Sequence, residues 1–318
     1  MLSAVIALVG AVVYGSADFF GGLAARRLRS IVVTAISAFA GLVALVIALP
    51  VMGGAWSLED VLWGVLAGGF GIVAIALLYA CLAIGPMSIL SPLTAVVSAI
   101  APMVWGLTIG GETLPPLGYA GLAVALVAVV LVGFIPGEKV VRPQARGVLM
   151  GIGAGLAIGA FLIVMDNTGG DSGIVPLLMS RVTSTVVTTL IVTALVIVAV
   201  RRGRAAATVL DAAGAPLGST PSGRADLEHV ETPTLSVQIT RVRALWFAVI
   251  CGVLDAAANA LMLVALRLGD LSIVSALTAL YPAGTILLAA VVLRERVAPV
   301  QWIGLALALV AGGMLGVA

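Results

Sequence analysis

Apolar stretches of about 20 residues, separated by polar connections, follow one another along the whole chain. An α-helix needs about 20 apolar residues to cross the hydrocarbon core of a bilayer. Measured against that length, the chain predicts ten transmembrane helices, at residues 3–25, 31–52, 61–84, 88–109, 117–135, 147–166, 174–200, 244–266, 272–293 and 300–317. Several connections have only a few residues, so neighbouring helices are expected to be antiparallel. The pattern therefore predicts an all-α integral membrane protein.

The connection between spans seven and eight differs from the others. Residues 201–243 contain Gly, Pro, Ser, Thr, Asp and Glu without an apolar helical face, which is typical of a disordered loop. This connection also holds the only histidine, His229. Two interpretations are open, a flexible insertion and a segment that binds a partner or is phosphorylated.

Residues 77–133 resemble residues 261–316. An offset of 184 aligns four small or polar residues of the first stretch, Gly85, Ser88, Ser91 and Thr94, with Gly269, Ser272, Ser275 and Thr278. An offset of 183 then aligns Glu112 with Glu295. This repeat predicts two homologous domains, 1–137 with spans one to five and 138–318 with spans six to ten. Because each has an odd number of helices, the two are expected to be inverted five-helix repeats.

Composition supports a membrane protein and excludes several functions. Apolar residues make up 62% of the chain and charged residues 9%, and the mean hydropathy is +1.26. A soluble domain carries about 25% charged residues. The basic residues form no patch with aromatic ones, so no nucleic-acid partner is expected. The two cysteines have no CxxC neighbour, so neither a metal site nor a cofactor is expected.

The positions of Lys and Arg predict the orientation in the membrane. Fourteen of them flank the odd-numbered connections, and only Arg267 flanks an even-numbered connection or a terminus. Because basic residues near span ends stay in the cytoplasm, we expect a multi-pass plasma-membrane protein with both termini outside and the 201–243 loop inside.

Two short motifs resemble those of the ten-helix, EamA-type branch of the drug/metabolite transporter superfamily. In that branch, each five-helix repeat ends with a GE pair, a short spacer and an apolar run that begins with glycine. The matching residues here are Gly111, Glu112 and Gly121 in the first half, and Glu295 and Gly304 in the second. Arg294 replaces the glycine of the second pair, and residues 14–19 resemble the start of the family's first helix. The resemblance implies transport without selecting a substrate, because members move amino acids, sugars, nucleotide derivatives and drugs.

Three charged side chains lie inside predicted spans: Asp18, Arg181 and Asp255. A charge at the centre of a membrane helix costs about 2.5 to 3.5 kcal/mol, so each needs a reason to be there. One hypothesis is a wet cavity in which the carboxylates bind protons or an amine and Arg181 binds a carboxylate or phosphate. Asn259, one turn after Asp255, would join this site. The alternative is an internal Asp–Arg pair that locks the bundle.

Polar residues also recur at helical spacing in spans four and nine. We predict that some of them line the path of the substrate; the candidates are Ser91, Thr94, Ser275, Thr278 and Tyr281. Tyr14, Tyr79 and Trp105 are candidates for cavity aromatics, but a packing or interface role is favoured for each. The alternative is that these hydroxyls bind their own backbone or a neighbouring helix. The Gly-Asp-Ser-Gly sequence at 170–173 lacks a histidine base within the spans, so hydrolysis is not expected.

Together these patterns predict a secondary transporter that moves a small polar or amphipathic metabolite, amino acid-like or drug-like, by alternating access. Transport is either coupled to protons through Asp18 or Asp255 or passive. The alternative is a non-transporting membrane scaffold or sensor that recruits a partner through its long loop. The expected partners are a small-molecule substrate, protons where transport is coupled, and the lipid bilayer; a monomer and a homodimer are both open.

Overall fold

The computed structural model describes residues 1–84, 87–133, 145–203, 205, 209–210, 240–292 and 298–318. Within them the regular structure is helical, with one short 3₁₀ helix at Gly170–Ser172. The α-helices are α1 (Leu2–Ala25), α2 (Ser30–Met52), α3 (Leu58–Ile84), α4 (Met87–Thr108), α5 (Pro116–Gly133), α6 (Ala145–Asp166), α7 (Val175–Arg201), α8 (Arg241–Leu268), α9 (Leu271–Thr278), α10 (Tyr281–Val292) and α11 (Pro299–Val317). The all-α prediction is confirmed.

The helices also have the lengths that a bilayer requires. In the described part of the chain, nine segments are long and apolar enough to cross a membrane, counting α9 and α10 together as one. The remaining predicted span, span four, corresponds to α4, whose described apolar stretch is Pro92–Thr108. Most of the 201–243 connection lies outside the described residues, so its predicted disorder and its possible partner remain predictions.

Neighbouring helices pair in a pattern that is compatible with two related halves. The helix of span one packs on that of span eight, and span six packs on span three. Span two likewise packs on span seven, and span five packs on span ten. Spans at the same position in the two halves are five spans apart in the chain. If every span is exchanged for this counterpart, the pair of spans one and eight becomes the pair of spans six and three. The other two pairs, two with seven and five with ten, are unchanged. The inverted repeat itself stays a prediction.

Span nine was predicted as one continuous helix, 272–293, but the structure divides it. The break lies at Ala279 and Leu280, where Leu280 donates its N–H to Leu277, three residues back. Pro282 follows, and its missing N–H deprives the Thr278 carbonyl of its helical partner. Span nine therefore consists of two helices, α9 and α10, and the Thr278 carbonyl at the break lacks its helical hydrogen bond.

The break lies beside an unusually close contact between α1 and α10. A Cβ built on Gly15 would lie 2.5 Å from the backbone nitrogen of Thr285, and one on Gly284 would lie 2.6 Å from the Val12 carbonyl oxygen. The Thr285 hydroxyl donates a hydrogen bond of 3.0 Å to the Gly15 carbonyl. Glycine at both positions therefore brings α1 against the start of α10.

Candidate functional site

Two of the three predicted membrane charges meet in the structure. The guanidinium of Arg181, on α7, forms an ion pair with the carboxylate of Asp255, on α8. The two side chains are 17% and 26% exposed, so the pair is neither sealed in the core nor open to solvent. Of the two alternatives drawn from the sequence, the internal pair is formed, and neither of its side chains is completely buried.

Asn259 holds one side of this pair in place. Its side-chain amide lies one turn after Asp255 and donates to the Asp255 backbone carbonyl at 2.8 Å and to the carboxylate oxygen Oδ1 at 3.4 Å. Asn259 is 2% exposed. Arg181 contacts the other carboxylate oxygen, Oδ2. The two oxygens of Asp255 are therefore divided between an amide of the same helix and a cation of a neighbouring helix.

The helix α1 brings Tyr14 and Asp18 to the same region. Tyr14 interacts electrostatically with Asp18, Arg181 and Asp255. Cys251, one turn before Asp255, interacts with the same three charges. Asp18 also has interaction partners of its own. The structure thus gathers all three membrane charges from α1, α7 and α8 around Tyr14.

Of the two candidate positions in span four, the structure describes the side chain of Thr94. Thr94 is buried, and its hydroxyl lies 2.9 Å from the Leu90 carbonyl and 3.1 Å from the Gly151 carbonyl. It therefore joins α4 to α6, as the structural alternative expects. The side chain of Ser91 lies outside the described part of the chain.

The three candidate residues in span nine differ in their hydrogen-bond partners and surroundings. Ser275 is buried and donates to the Ser272 carbonyl of its own helix, at 3.1 Å. Thr278 is buried at the last position of α9, and in the described residues its hydroxyl has no hydrogen-bond partner. Tyr281 begins α10 directly after the break and has interaction partners of its own. Thr278 is therefore the candidate with an unused polar group.

Sequence reasoning missed Thr185, which lies one turn after Arg181 on α7. Its hydroxyl oxygen is also buried without a hydrogen-bond partner among the described residues. The signal in the sequence was its spacing of four from Arg181, which places both on one face of the helix. A buried hydroxyl without a partner is costly, so Thr185 is a candidate to bind a ligand.

A second polar region lies at the end of the bundle that carries the connections 53–57, 109–115, 167–174 and 269–270, hereafter the even-loop end. Glu112 accepts hydrogen bonds from the backbone N–H groups of Leu271 and Ser272, at 2.7 and 3.1 Å. Arg267 donates to the carbonyl and hydroxyl of Thr168 and to the Ser172 hydroxyl. Sequence reasoning used Glu112 only as a motif residue and Arg267 only for orientation.

These features define a polytopic helical membrane protein with a charged site inside its spans. Residues 230–316 match the model of the EamA-like transporter family, which confirms over this segment the resemblance that the sequence motifs indicated. No curated protein sequence gives a significant match.

Similarity of fold extends over the whole chain. A solved crystal structure superimposes with a TM-score of 0.70, covering 99% of this chain and 96% of its own, at 13% sequence identity. At that identity the likeness concerns the fold alone. The apolar helices indicate a multi-pass membrane protein, which over residues 230–316 is similar to a transporter family.

Proposed function

We propose that the protein is a secondary transporter that moves a small polar or amphipathic metabolite across the plasma membrane by alternating access. The observation that carries the proposal is the partly exposed ion pair between Arg181 and Asp255 within two membrane spans. Two charges inside membrane spans carry a desolvation cost that their mutual attraction need not repay, so locking the helices is a weak reason to keep them there. A pair that remains reachable can exchange its partner for a ligand.

The cost of separating the pair favours a particular kind of ligand. Removing one partner of a buried ion pair leaves an uncompensated charge and costs about 3–5 kcal/mol. A ligand with an ammonium and a carboxylate group avoids this cost, because Arg181 then binds the carboxylate and Asp255 the ammonium. An amino acid-like metabolite is therefore the ligand that this site fits best, with Tyr14 and the Thr185 hydroxyl beside its charged groups.

Proton coupling follows from the same pair. A ligand with a carboxylate and no ammonium would occupy Arg181 and leave Asp255 without its cation. Protonation of Asp255 would then remove the uncompensated charge, so that one proton accompanies each anionic ligand. Asp18, which lies near the same charges, is the second candidate for proton uptake. A zwitterionic ligand needs no such proton.

Matched ligands test the proposal directly. The thermal unfolding midpoint of the purified protein is measured with leucine, leucine methyl ester and N-acetyl-leucine, and with the same three forms of phenylalanine and threonine. Ligand binding to the folded state stabilises it by mass action. We expect at least one free amino acid to raise the midpoint more than its ester or acetylated form does. Uptake of that compound into proteoliposomes then measures transport.

Two results would contradict parts of the proposal. If an ester or an acetylated form stabilises as well as the free amino acid, the zwitterion is the wrong ligand class, but the transporter stands. If a stabilising compound is not carried into proteoliposomes, the protein binds it without transporting it. The scaffold or sensor alternative is tested by deleting 216–232, which should leave transport intact.

The orientation is part of the proposal. It rests on the fourteen Lys and Arg residues that flank the odd-numbered connections, against one that flanks the even-numbered connections or a terminus. With both termini outside, the even-loop end faces the exterior. A reporter domain that is active only in the cytoplasm should be inactive when fused after Ala318.

A further inference from the structure

Glu112 connects the two halves of the chain through the backbone of span nine. It lies in the connection between α4 and α5, yet its carboxylate accepts the N–H groups of Leu271 and Ser272, the first two residues of α9. The first N–H groups of a helix have no partner within the helix. Asp270, the residue at the N-cap position, makes no side-chain cap. A side chain of the first half thus supplies the cap for a helix of the second.

The local structure around Glu112 is built to hold this carboxylate. Gly111 has φ +71°, a left-handed conformation that glycine adopts without strain. It turns the chain so that the Glu112 N–H donates to the Gly106 carbonyl at 3.0 Å. A Cβ built on Gly106 would lie 2.5 Å from the Glu112 carboxylate. Two glycines therefore fix the carboxylate over the end of α4.

The helix that Glu112 caps is the outer half of span nine in the predicted orientation. All eight residues of α9 are buried. The helix packs on α4 and α1 and ends at Thr278, directly before the break. The Glu112 carboxylate therefore holds the N-terminal end of α9, and the break lies at its other end.

Other hydrogen bonds at the even-loop end also join the two halves. Asp60 of α3 accepts the Gly169 N–H at 2.7 Å. The Ala55 N–H donates to the Asp171 carbonyl at 2.8 Å, and the Ile174 N–H to the Gly53 carbonyl at 3.3 Å. The even-loop end is therefore held shut by bonds that must break if a passage opens there.

We propose that Glu112, together with these hydrogen bonds, keeps the even-loop end closed, and that this end opens when the carboxylate releases α9. Its role in a transport cycle rests on the proposed function, but its effect on accessibility does not require a substrate. The competing interpretation is a permanent cap that stays bound in every state and contributes only to stability.

A reporter cysteine separates these interpretations. Ser275 is 1% exposed in α9, and Ser275→Cys in a Cys81→Ala/Cys251→Ala background places one thiol there. A membrane-impermeant maleimide is added to either side of vesicles, without substrate. The test variant is Glu112→Gln, whose amide oxygen lacks the charge. The control is Glu59→Gln, because Glu59 is exposed at the same end and accepts a hydrogen bond of 3.5 Å from Trp63 of its own helix.

We expect Glu112→Gln to raise the labelling rate from the even-loop side at least about tenfold, equivalent to about 1.4 kcal/mol, since a neutral amide binds the two N–H groups more weakly than a carboxylate does. Labelling from the opposite side and labelling in Glu59→Gln should not change. Equal rates in Glu112→Gln and the control, or an equal rise from both sides, would overturn the proposal. If Glu112→Gln does not fold, the same labelling rates are measured in Glu112→Asp, which keeps the charge on a shorter side chain. A rise from the even-loop side alone then supports the proposal, and rates equal to those of the control overturn it.

Discussion

In the middle of the bundle, Arg181 and Asp255 contact each other through side chains on neighbouring helices, whereas at the even-loop end Glu112 and Asp60 bind backbone N–H groups of the other half. The side chains of the central pair can rotate apart without moving a helix. The carboxylates at the even-loop end bind main-chain N–H groups instead, so a displacement of α9 or of the connection 167–174 breaks these hydrogen bonds.

This difference indicates which region binds and which region moves. A ligand can replace one side chain of the central pair with little change of the fold. Opening the even-loop end requires a displacement of helices. In the proposed transporter, the middle is therefore the binding site and the even-loop end is the gate.

Removing one member of the central pair should have the largest effect. Arg181→Met leaves the Asp255 carboxylate without its cation, and we expect a loss of about 3–5 kcal/mol in the free energy of unfolding. Denaturant unfolding in detergent measures it. Arg146→Met is the matched control, because Arg146 is exposed at the start of α6. A loss no greater than that of the control would show that the pair contributes nothing.

Filling the contact between α1 and α10 should have the next largest effect. Gly15→Ala places a Cβ 2.5 Å from the Thr285 nitrogen, and such overpacking costs about 1–3 kcal/mol. Gly69→Ala is the control, since a Cβ there meets no atom within 4 Å. Thermal unfolding of both variants checks the prediction. Equal midpoints would mean that α1 and α10 are farther apart than described.

Neutralising the carboxylates should change the dependence of transport on pH. If transport is proton-coupled, Asp255→Asn lowers proton-driven uptake at least about tenfold, equivalent to about 1.4 kcal/mol, because the amide cannot take up the proton. Asp18→Asn is measured in parallel, in proteoliposomes with an imposed pH gradient. Should both variants keep wild-type uptake and pH dependence, proton coupling is wrong and passive transport remains.

The smallest effect is expected at the two copies of the repeated threonine, Thr94 and Thr278. Thr94→Val removes a hydroxyl that contacts the Leu90 and Gly151 carbonyls, and should cost about 0.5–1.5 kcal/mol. Thr278→Val removes a hydroxyl without a partner in the described residues and should leave stability unchanged or higher. We expect it to weaken ligand binding instead. An equal cost at both positions would show that Thr278 has a protein partner.

The helices and the three membrane charges could be predicted from the sequence because a bilayer penalises every polar group that lacks a reason to be there. The sequence also suggested an Asp–Arg pair. Which carboxylate pairs with Arg181 depends on how α1, α7 and α8 pack, and no local pattern determines this packing. Asp18 and Asp255 were therefore equivalent until the structure placed Asp255 against the guanidinium.

The break in span nine shows a second limit. Proline marks positions where a helix loses a hydrogen bond, and span four contains Pro92 and Pro102. Nevertheless, α4 runs through both of them, whereas span nine is interrupted just before Pro282. Proline alone therefore does not distinguish a kink from a break. Glu112 illustrates the same limit over a longer distance, because its partners lie 159 and 160 residues away in the chain.

The most direct test of the central site is the double variant Arg181→Met/Asp255→Val. Replacing both members of an ion pair by apolar residues of similar size is often neutral or stabilising, so the variant should fold as well as the wild type. Transport is measured in proteoliposomes with the amino acid that most stabilises the wild-type protein. The account predicts a stable protein that neither binds nor carries this compound. Uptake at the wild-type rate would contradict it.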